Sequence, residues 1–384
     1  MKRDYPYLII GGGMAGDAAV RGIRMIDPDR PIGLVGQETD PPYNRPPLSK
    51  GLWKGAPLSR IWRNTHALGV DLHLGRKIIH LDPVQKRAVD DQGDEYTYGR
   101  LLLATGGDPI RLGSEHERIL YYRALADYQH LRSLIDQGMQ RFAVIGGGFI
   151  GSEMAAALTT LGKEVVLIFP EKGIGERALP AEISQYLNQV FRERGVRVLN
   201  GHLVRSLQPD ESGVTVLTDL GEELRVEAVV AGLGIRPNTA LAESAGLSTN
   251  NGIVVDLAMR TSHPDIFAAG DVVNFFSPVL NQQMRVEHEE NANTTGMIAG
   301  QGMAGQPGQY DTLPSVYSKL FEISYDAVGD LDPRLEIRYD WEEPFQKGKV
   351  YYTREGRVRG VLLWNISRGL DEARQQIIES SRLL

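Results

Sequence analysis

The residues with the clearest chemical use are glycines. Gly11, Gly13 and Gly16 fall in a G-x-G-x-x-G spacing, and Gly146, Gly148 and Gly151 repeat it later in the chain. Glycines so spaced let backbone N–H groups approach a pyrophosphate, while the following helix points the positive end of its dipole at the anion. One such turn is a weak signal, since structural turns use glycine too. Two in the same local setting point to two bound nucleotides. Met14 and Ala15 lie inside the first turn, and Phe149 and Ile150 inside the second, so all four belong to the same expected helix starts.

A carboxylate at the end of the next strand would hydrogen-bond an adenosine ribose and repel a 2′-phosphate. Glu171 occupies that place in the second repeat, which favours NADH over NADPH, with Lys172 and Arg177 near enough to soften the exclusion. In the first repeat the count falls on Gln37, followed by Glu38, so the acid is either replaced by an amide or displaced by one residue.

Positioning these residues requires strand, turn, helix and strand, twice over. Tyr7 to Ile10 and Phe142 to Ile145 read as short buried strands, Ala15 to Met25 and Ile150 to Leu161 as small-residue helices, and Pro31 to Val35 and Glu164 to Phe169 as returning strands. Each unit is a βαβ motif. Leu101 to Gly107, Val229 to Gly234 and Ile266 to Asp271 each read as a strand ending in a turn. From about Asp311 the pattern changes to alternating strands, with a hairpin at Arg354-Glu355-Gly356 and an amphipathic helix from Asp371 to Leu384.

Composition removes several classes. The chain has 384 residues, enough for two or three domains, with 42% hydrophobic and 24% charged residues and a formal net charge of −7. That balance argues against nucleic-acid binding. With Cys 0, thiolate metal sites, iron–sulfur clusters and redox-active thiols are excluded, so redox chemistry must come from cofactors. The 8 histidines are scattered and suggest no metal site. No apolar stretch approaches the roughly 20 residues of a membrane span, no signal peptide is recognisable, and a cytoplasmic protein is expected.

Between Pro41 and Val70 no acidic residue occurs, while Arg45, Lys50, Lys54, Arg60 and Arg63 alternate with Trp53 and Trp62. This is either a solvated loop or a cationic surface for phosphate or an acidic partner. Taken alone, Glu153 reads as a structural helix carboxylate, Tyr317 as a core aromatic and Asp271 as a helix N-cap ahead of Val272 and Val273.

The segment Tyr43-Asn-Arg-Pro-Pro-Leu-Ser-Lys50, both glycine turns and Val286-Glu-His-Glu289 together resemble the FAD- and NADH-dependent ferredoxin reductase and apoptosis-inducing factor family. The resemblance covers essentially the whole chain. It implies an α/β fold with two Rossmann-like dinucleotide-binding domains and a small α+β C-terminal interface domain. A discontinuous FAD domain is expected over 1–118 and 247–310, with the NAD(H) domain inserted at 119–246 and the interface or dimerisation domain at 311–384.

For FAD, besides the first glycine turn and Gln37 or Glu38, the resemblance implies Arg45, Lys50, Ile78, Ala104, Thr105, Gly106, Arg123, Gly270, Asp271, Glu287, His288 and Tyr317. For NADH it implies Gly146, Gly148, Phe149, Ile150, Glu171, Arg177, Gly234, Glu287 and His288. Lys50 and Glu153 are the implied catalytic pair, an ammonium beside the flavin held in place by a carboxylate. Tyr317 stands where the family often carries tryptophan. The helix expected from Asn291 to Ala299 would direct its N-terminal dipole at reduced flavin.

Two functions follow from the resemblance. One is an enzyme passing hydride from NADH to flavin and electrons to a ferredoxin, a rubredoxin, a quinone or dioxygen; the other is an NADH sensor that forms a long-lived charge-transfer complex and changes its association state. A homodimer is compatible with either.

Overall fold

The computed structural model describes residues 1–382. Two compact units emerge. The first comprises Met1–Asn44, Leu58–Asp108 and Arg236–Ser315; the second comprises Arg45–Pro57, Pro109–Ile235 and the chain from Val316.

In the first unit, β1 (Lys2–Ile10) leads through the glycine turn into α1 (Met14–Ile26) and back through β2 (Ile32–Gly36). β1 pairs in parallel with β2 and with Glu95–Leu103, which in turn takes Ile266–Ala268 as a further parallel neighbour. Every residue of β2 is buried, as expected of a strand covered on both faces. α1 is built from small residues because the helix Glu289–Met303 lies against it: a Cβ on Gly296 or Gly300 would collide with the carbonyls of Ala15 and Ala19. Asp271 precedes a strand, Val273–Ser277, and not a helix, so the N-cap alternative fails.

The second unit repeats the plan. β3 (Arg141–Ile145), α2 (Phe149–Thr160) and β4 (Glu164–Phe169) form its βαβ core. The sheet continues in parallel order through Arg197–Asn200 on one side and Ala228–Ala231 and Ile119–Tyr121 on the other. The same unit holds a three-stranded antiparallel sheet and most of a five-stranded one, whose first strand is β5 (Ser315–Leu320). The expected hairpin is present: Arg354 pairs with Arg357 across Glu355 and Gly356, whose φ values of 52° and 75° suit a primed two-residue turn. The terminal helix runs Leu370–Ser381 with Arg382 as its C-cap; the last two residues of the expected helix, 383–384, lie outside the described residues.

Candidate functional site

The two glycine turns are built alike. Gly11 (φ 124°) and Gly146 (φ 114°) adopt a conformation side chains avoid, and a Cβ on either would strike the backbone carbonyl of Ala104 or Gly232. Gly16 and Gly151 are equally crowded, by the carbonyls of Gly11 and Gly146, which brings each helix start close to its strand. The middle glycines differ. A Cβ on Gly13 or Gly148 would meet no atom within 4 Å. Both are helix N-caps without a side-chain cap bond, so no side chain fills either space. A cradle of this shape, at a helix N-terminus, fits a pyrophosphate. Met14 and Ala15 are buried in the first turn of α1, Phe149 starts α2, and Ile150 is 38% exposed there.

Sheet register bears on the Gln37 and Glu38 alternative. Ile10 pairs with Val35 and Ile145 with Ile168, and the next amides, Gly11 and Gly146, bond to the carbonyls of Val35 and Ile168, both at 2.8 Å. Three residues beyond those carbonyls stand Glu38 and Glu171 respectively. Glu38 thus occupies the position of Glu171, while Gln37 is exposed and one residue short of it. Glu38 accepts a 2.6 Å hydrogen bond from Tyr43. Glu171 accepts two from Arg177, Nε at 2.7 Å and a terminal nitrogen at 2.6 Å, with the arginine side chain 80% exposed.

Elsewhere in the first unit, Thr105 and Gly106 are tied to Asn238: Thr105 Oγ1 donates to its carbonyl at 2.8 Å, and its amide donates to Gly106 O at 3.0 Å. Ile78 is buried in the core. The Gly270 amide donates to Thr295 Oγ1 at 3.0 Å, fixing the turn before Asp271. Arg285 binds the Asp271 carbonyl at 3.1 Å and the Glu287 carboxylate at 2.6 Å, so Glu287 is charge-paired on its own segment. His288 is the N-cap of Glu289–Met303. That helix starts within a few residues of the place expected from sequence.

In the second unit, Glu153 is the centre of a buried charged cluster. Its side chain is 1% exposed; the Lys50 ammonium lies 2.7 Å from Oε1 and 2.8 Å from Oε2. Ser49 donates to Oε2 and Ser318 to Oε1, both at 2.6 Å. The Lys50 ammonium also stands 5.1 Å from the centroid of the Tyr317 ring, within cation–π range. Tyr317 is 44% exposed and not a core aromatic. Burial, followed by the charge of Glu153, pushes the Tyr325 hydroxyl well above its ordinary range and keeps it neutral. Arg45 donates to the Arg123 carbonyl at 3.2 Å, and Gly234 accepts from the Ile110 amide. Ser318 was not singled out from sequence, and no local pattern marks it.

The cationic surface expected over 41–70 is much reduced. Arg63 is turned inward onto Asp17, at 2.6 Å, with Arg21 and Thr65 completing the carboxylate's partners; Arg63 also reaches Asn44 and Asn293. Trp53 is buried, donating to Leu48 O at 2.7 Å. Lys54 and Arg60 are the residues of that set left exposed. No metal-holding cluster occurs among the described residues, and no helix among them is long and apolar enough to cross a membrane.

Residues 5–296 match the family model described as pyridine nucleotide-disulphide oxidoreductase. The ferredoxin–NAD(+) reductase component of the anthranilate 1,2-dioxygenase system of Burkholderia cepacia is 34% identical, over 84% of this chain and 82% of its own length. Mitochondrial apoptosis-inducing factor 1 of Dictyostelium discoideum is 30% identical, over 98% of this chain and 78% of its own. Among solved structures, the covalent putidaredoxin reductase–putidaredoxin complex superposes with a TM-score of 0.91 at 29% identity, covering 98% of this chain and 93% of that one. The duplicated cradle, the parallel sheets and these likenesses agree: the chain belongs to the pyridine nucleotide-disulphide oxidoreductase family, as an oxidoreductase that works with a flavin and a pyridine nucleotide.

Proposed function

We propose that the chain takes electrons from NADH through FAD to a small ferredoxin-type protein. The observation that carries this is the pair of matching glycine turns, each with an unfilled space at a helix N-terminus, in a chain that has no cysteine to relay electrons itself. The Burkholderia relative and the putidaredoxin reductase likeness support the ferredoxin-type acceptor. Residues 1–118 and 247–310 are assigned to FAD, 119–246 to NADH and 311–384 to the interface domain.

When bound, a flavin supplies the step no side chain can perform: it accepts a hydride from reduced nicotinamide and passes electrons on one at a time. The chain supplies binding, orientation and charge. The Gly13 and Gly148 turns hold pyrophosphates, and Glu38 and Glu171 hold riboses. Arg177, bound to Glu171, swings to a 2′-phosphate only by breaking that pair, so NADH is favoured. The Lys50 ammonium supplies positive potential for a ring that gains electrons, and Glu153 keeps the ammonium in place. No side chain need move a proton in the hydride step.

The test is anaerobic titration of the purified, yellow protein with NADH, followed by turnover with a [2Fe–2S] ferredoxin. Rapid bleaching and fast ferredoxin reduction are expected. Glu171→Ala should weaken NADH binding about tenfold, the loss of one charge-assisted hydrogen bond, without loss of flavin. Colourless protein that refuses FAD refutes the reading. The 30% identity to apoptosis-inducing factor supports a second one, a redox sensor; long-wavelength absorbance persisting for minutes, with a change of mass on NADH addition, would select it.

A further inference from the structure

We propose that Ser318 is a positioning residue for Lys50, acting through Glu153; this rests on the reading of Lys50 and Glu153 as the charged pair of the flavin reaction. A carboxylate offers about four acceptor positions, and this one has four short interactions on two oxygens. Oε1 takes Lys50 at 2.7 Å and Ser318 at 2.6 Å; Oε2 takes Lys50 at 2.8 Å and Ser49 at 2.6 Å. At 1% side-chain exposure, a lost partner is not replaced by bulk water.

The two serines are not equivalent. Ser49 is the chain neighbour of Lys50, at the end of the short 3₁₀ segment that Lys50 caps, so it moves with the ammonium and gives the carboxylate no independent anchor. Ser318 comes from β5, held in the five-stranded sheet, and is 2% exposed. It is the donor that ties Glu153 to a frame other than the Lys50 loop.

The alternation of side chains along β5 adds to the hold. Ser318 points inward to Glu153, and its neighbour Tyr317, 44% exposed, presents its ring to the Lys50 ammonium at 5.1 Å. One strand thus engages both members of the pair, the carboxylate by a hydrogen bond and the ammonium by a π face. Tyr325, stacked on Trp364 with centroids 5.6 Å apart, hydrogen-bonds with Ser318 and stays neutral, so it adds no second charge beside Glu153. Loss of the Ser318 hydroxyl leaves Glu153 free to tilt, and Lys50 follows it.

The experiment compares full-length Ser318→Ala, Ser318→Thr, Glu153→Gln and the Ser318→Ala/Glu153→Gln double variant with the parent. The first readout is the rate of Lys50 acetylation by N-hydroxysuccinimidyl acetate at one fixed pH, followed by peptide mass spectrometry. Ser318→Ala should raise it about fivefold, the scale of the net contribution of one hydrogen bond, and Ser318→Thr should restore it. Glu153→Gln should raise it at least as far, with no further rise in the double variant. The second readout is flavin reduction by NADH: in Ser318→Ala the limiting rate falls about fivefold at unchanged half-saturating NADH, the mark of a group that acts after binding.

An unchanged acetylation rate in Ser318→Ala overturns the proposal, as does an equal increase in the Glu153→Gln background. Acetylation needs no cofactor, so the two readings fail separately. Ser318-dependent acetylation in a protein that binds no flavin would sustain the positioning role and remove the flavin reading. Normal flavin reduction with indifferent acetylation would do the reverse.

Discussion

Alanine at the middle glycine of each turn should separate folding from binding. Gly13 has φ −90° and ψ −167°, and Gly148 has φ −79° and ψ −169°, extended backbone that alanine adopts freely. A Cβ at either meets no atom within 4 Å. Two effects on stability then oppose each other. Less freedom in the unfolded chain stabilises by about 0.4–1 kcal/mol, whereas alanine is a poorer N-cap than glycine by about 0.5–1 kcal/mol. The net change should stay within about 1 kcal/mol, a shift of a few degrees in melting temperature at most. Binding is different, because the methyl group occupies the space assigned to a pyrophosphate. Overpacking of that kind costs about 1–3 kcal/mol, or roughly five- to 150-fold in affinity. Gly13→Ala should therefore lose flavin on dialysis, and Gly148→Ala should keep its flavin while its half-saturating NADH rises, read by stopped-flow reduction. Gly11→Ala is the contrasting control: at φ 124° and against the Ala104 carbonyl it should impair folding itself. Were Gly148→Ala to melt like the parent and bind NADH within twofold of it, no nucleotide pyrophosphate would lie at that turn.

Two further outcomes concern the first unit. Asp17 has no exposed surface and is held by Arg63, Arg21 and Thr65; Asp17→Ala strands the mostly buried Arg63 guanidinium and should cost about 3 kcal/mol in urea denaturation, near the lower end for a broken buried pair since Arg21 is partly exposed. Burial alone would push the Asp90 carboxyl up, but Arg76 at 2.7 Å, the Asp94 amide and the Tyr96 hydroxyl outweigh it and hold the group below the usual carboxylate range. A group depressed in the folded state adds stability above its unfolded value, and that stability is lost as pH falls through the folded one. Melting temperature should accordingly drop below about pH 4 in the parent, with a shallower acid limb in Asp90→Asn.

What could be read from sequence divides along a physical line. The glycine turns were legible because their constraints are local: a strand, a positive φ and a helix start within six residues. Counting failed to choose between Gln37 and Glu38 because the crossover through α1 is longer than that through α2, and only register, Ile10 on Val35 and Ile145 on Ile168, aligns the two strand ends. Charge was legible in sign and not in partner. The run from Arg45 to Arg63 reads as a basic surface, yet Arg63 is spent on Asp17, far earlier in the chain, and Lys50 on Glu153, far later. Ser318 carries no sequence signal at all, since a serine in a strand looks the same whether it faces solvent or a buried carboxylate.

In the proposed reading, cofactor binding rests on backbone shape, which few residues specify and which repeats almost unchanged in both units. Tuning of the bound ring, in the same reading, rests on a carboxylate and its four short interactions, drawn from three separated stretches of sequence: 49–50, 153 and 318. Ser49 and Ser318 lie outside both glycine turns, so a substitution at either acts on the charged pair and not on the cradles. Reactivity toward different electron acceptors can therefore shift without loss of either nucleotide.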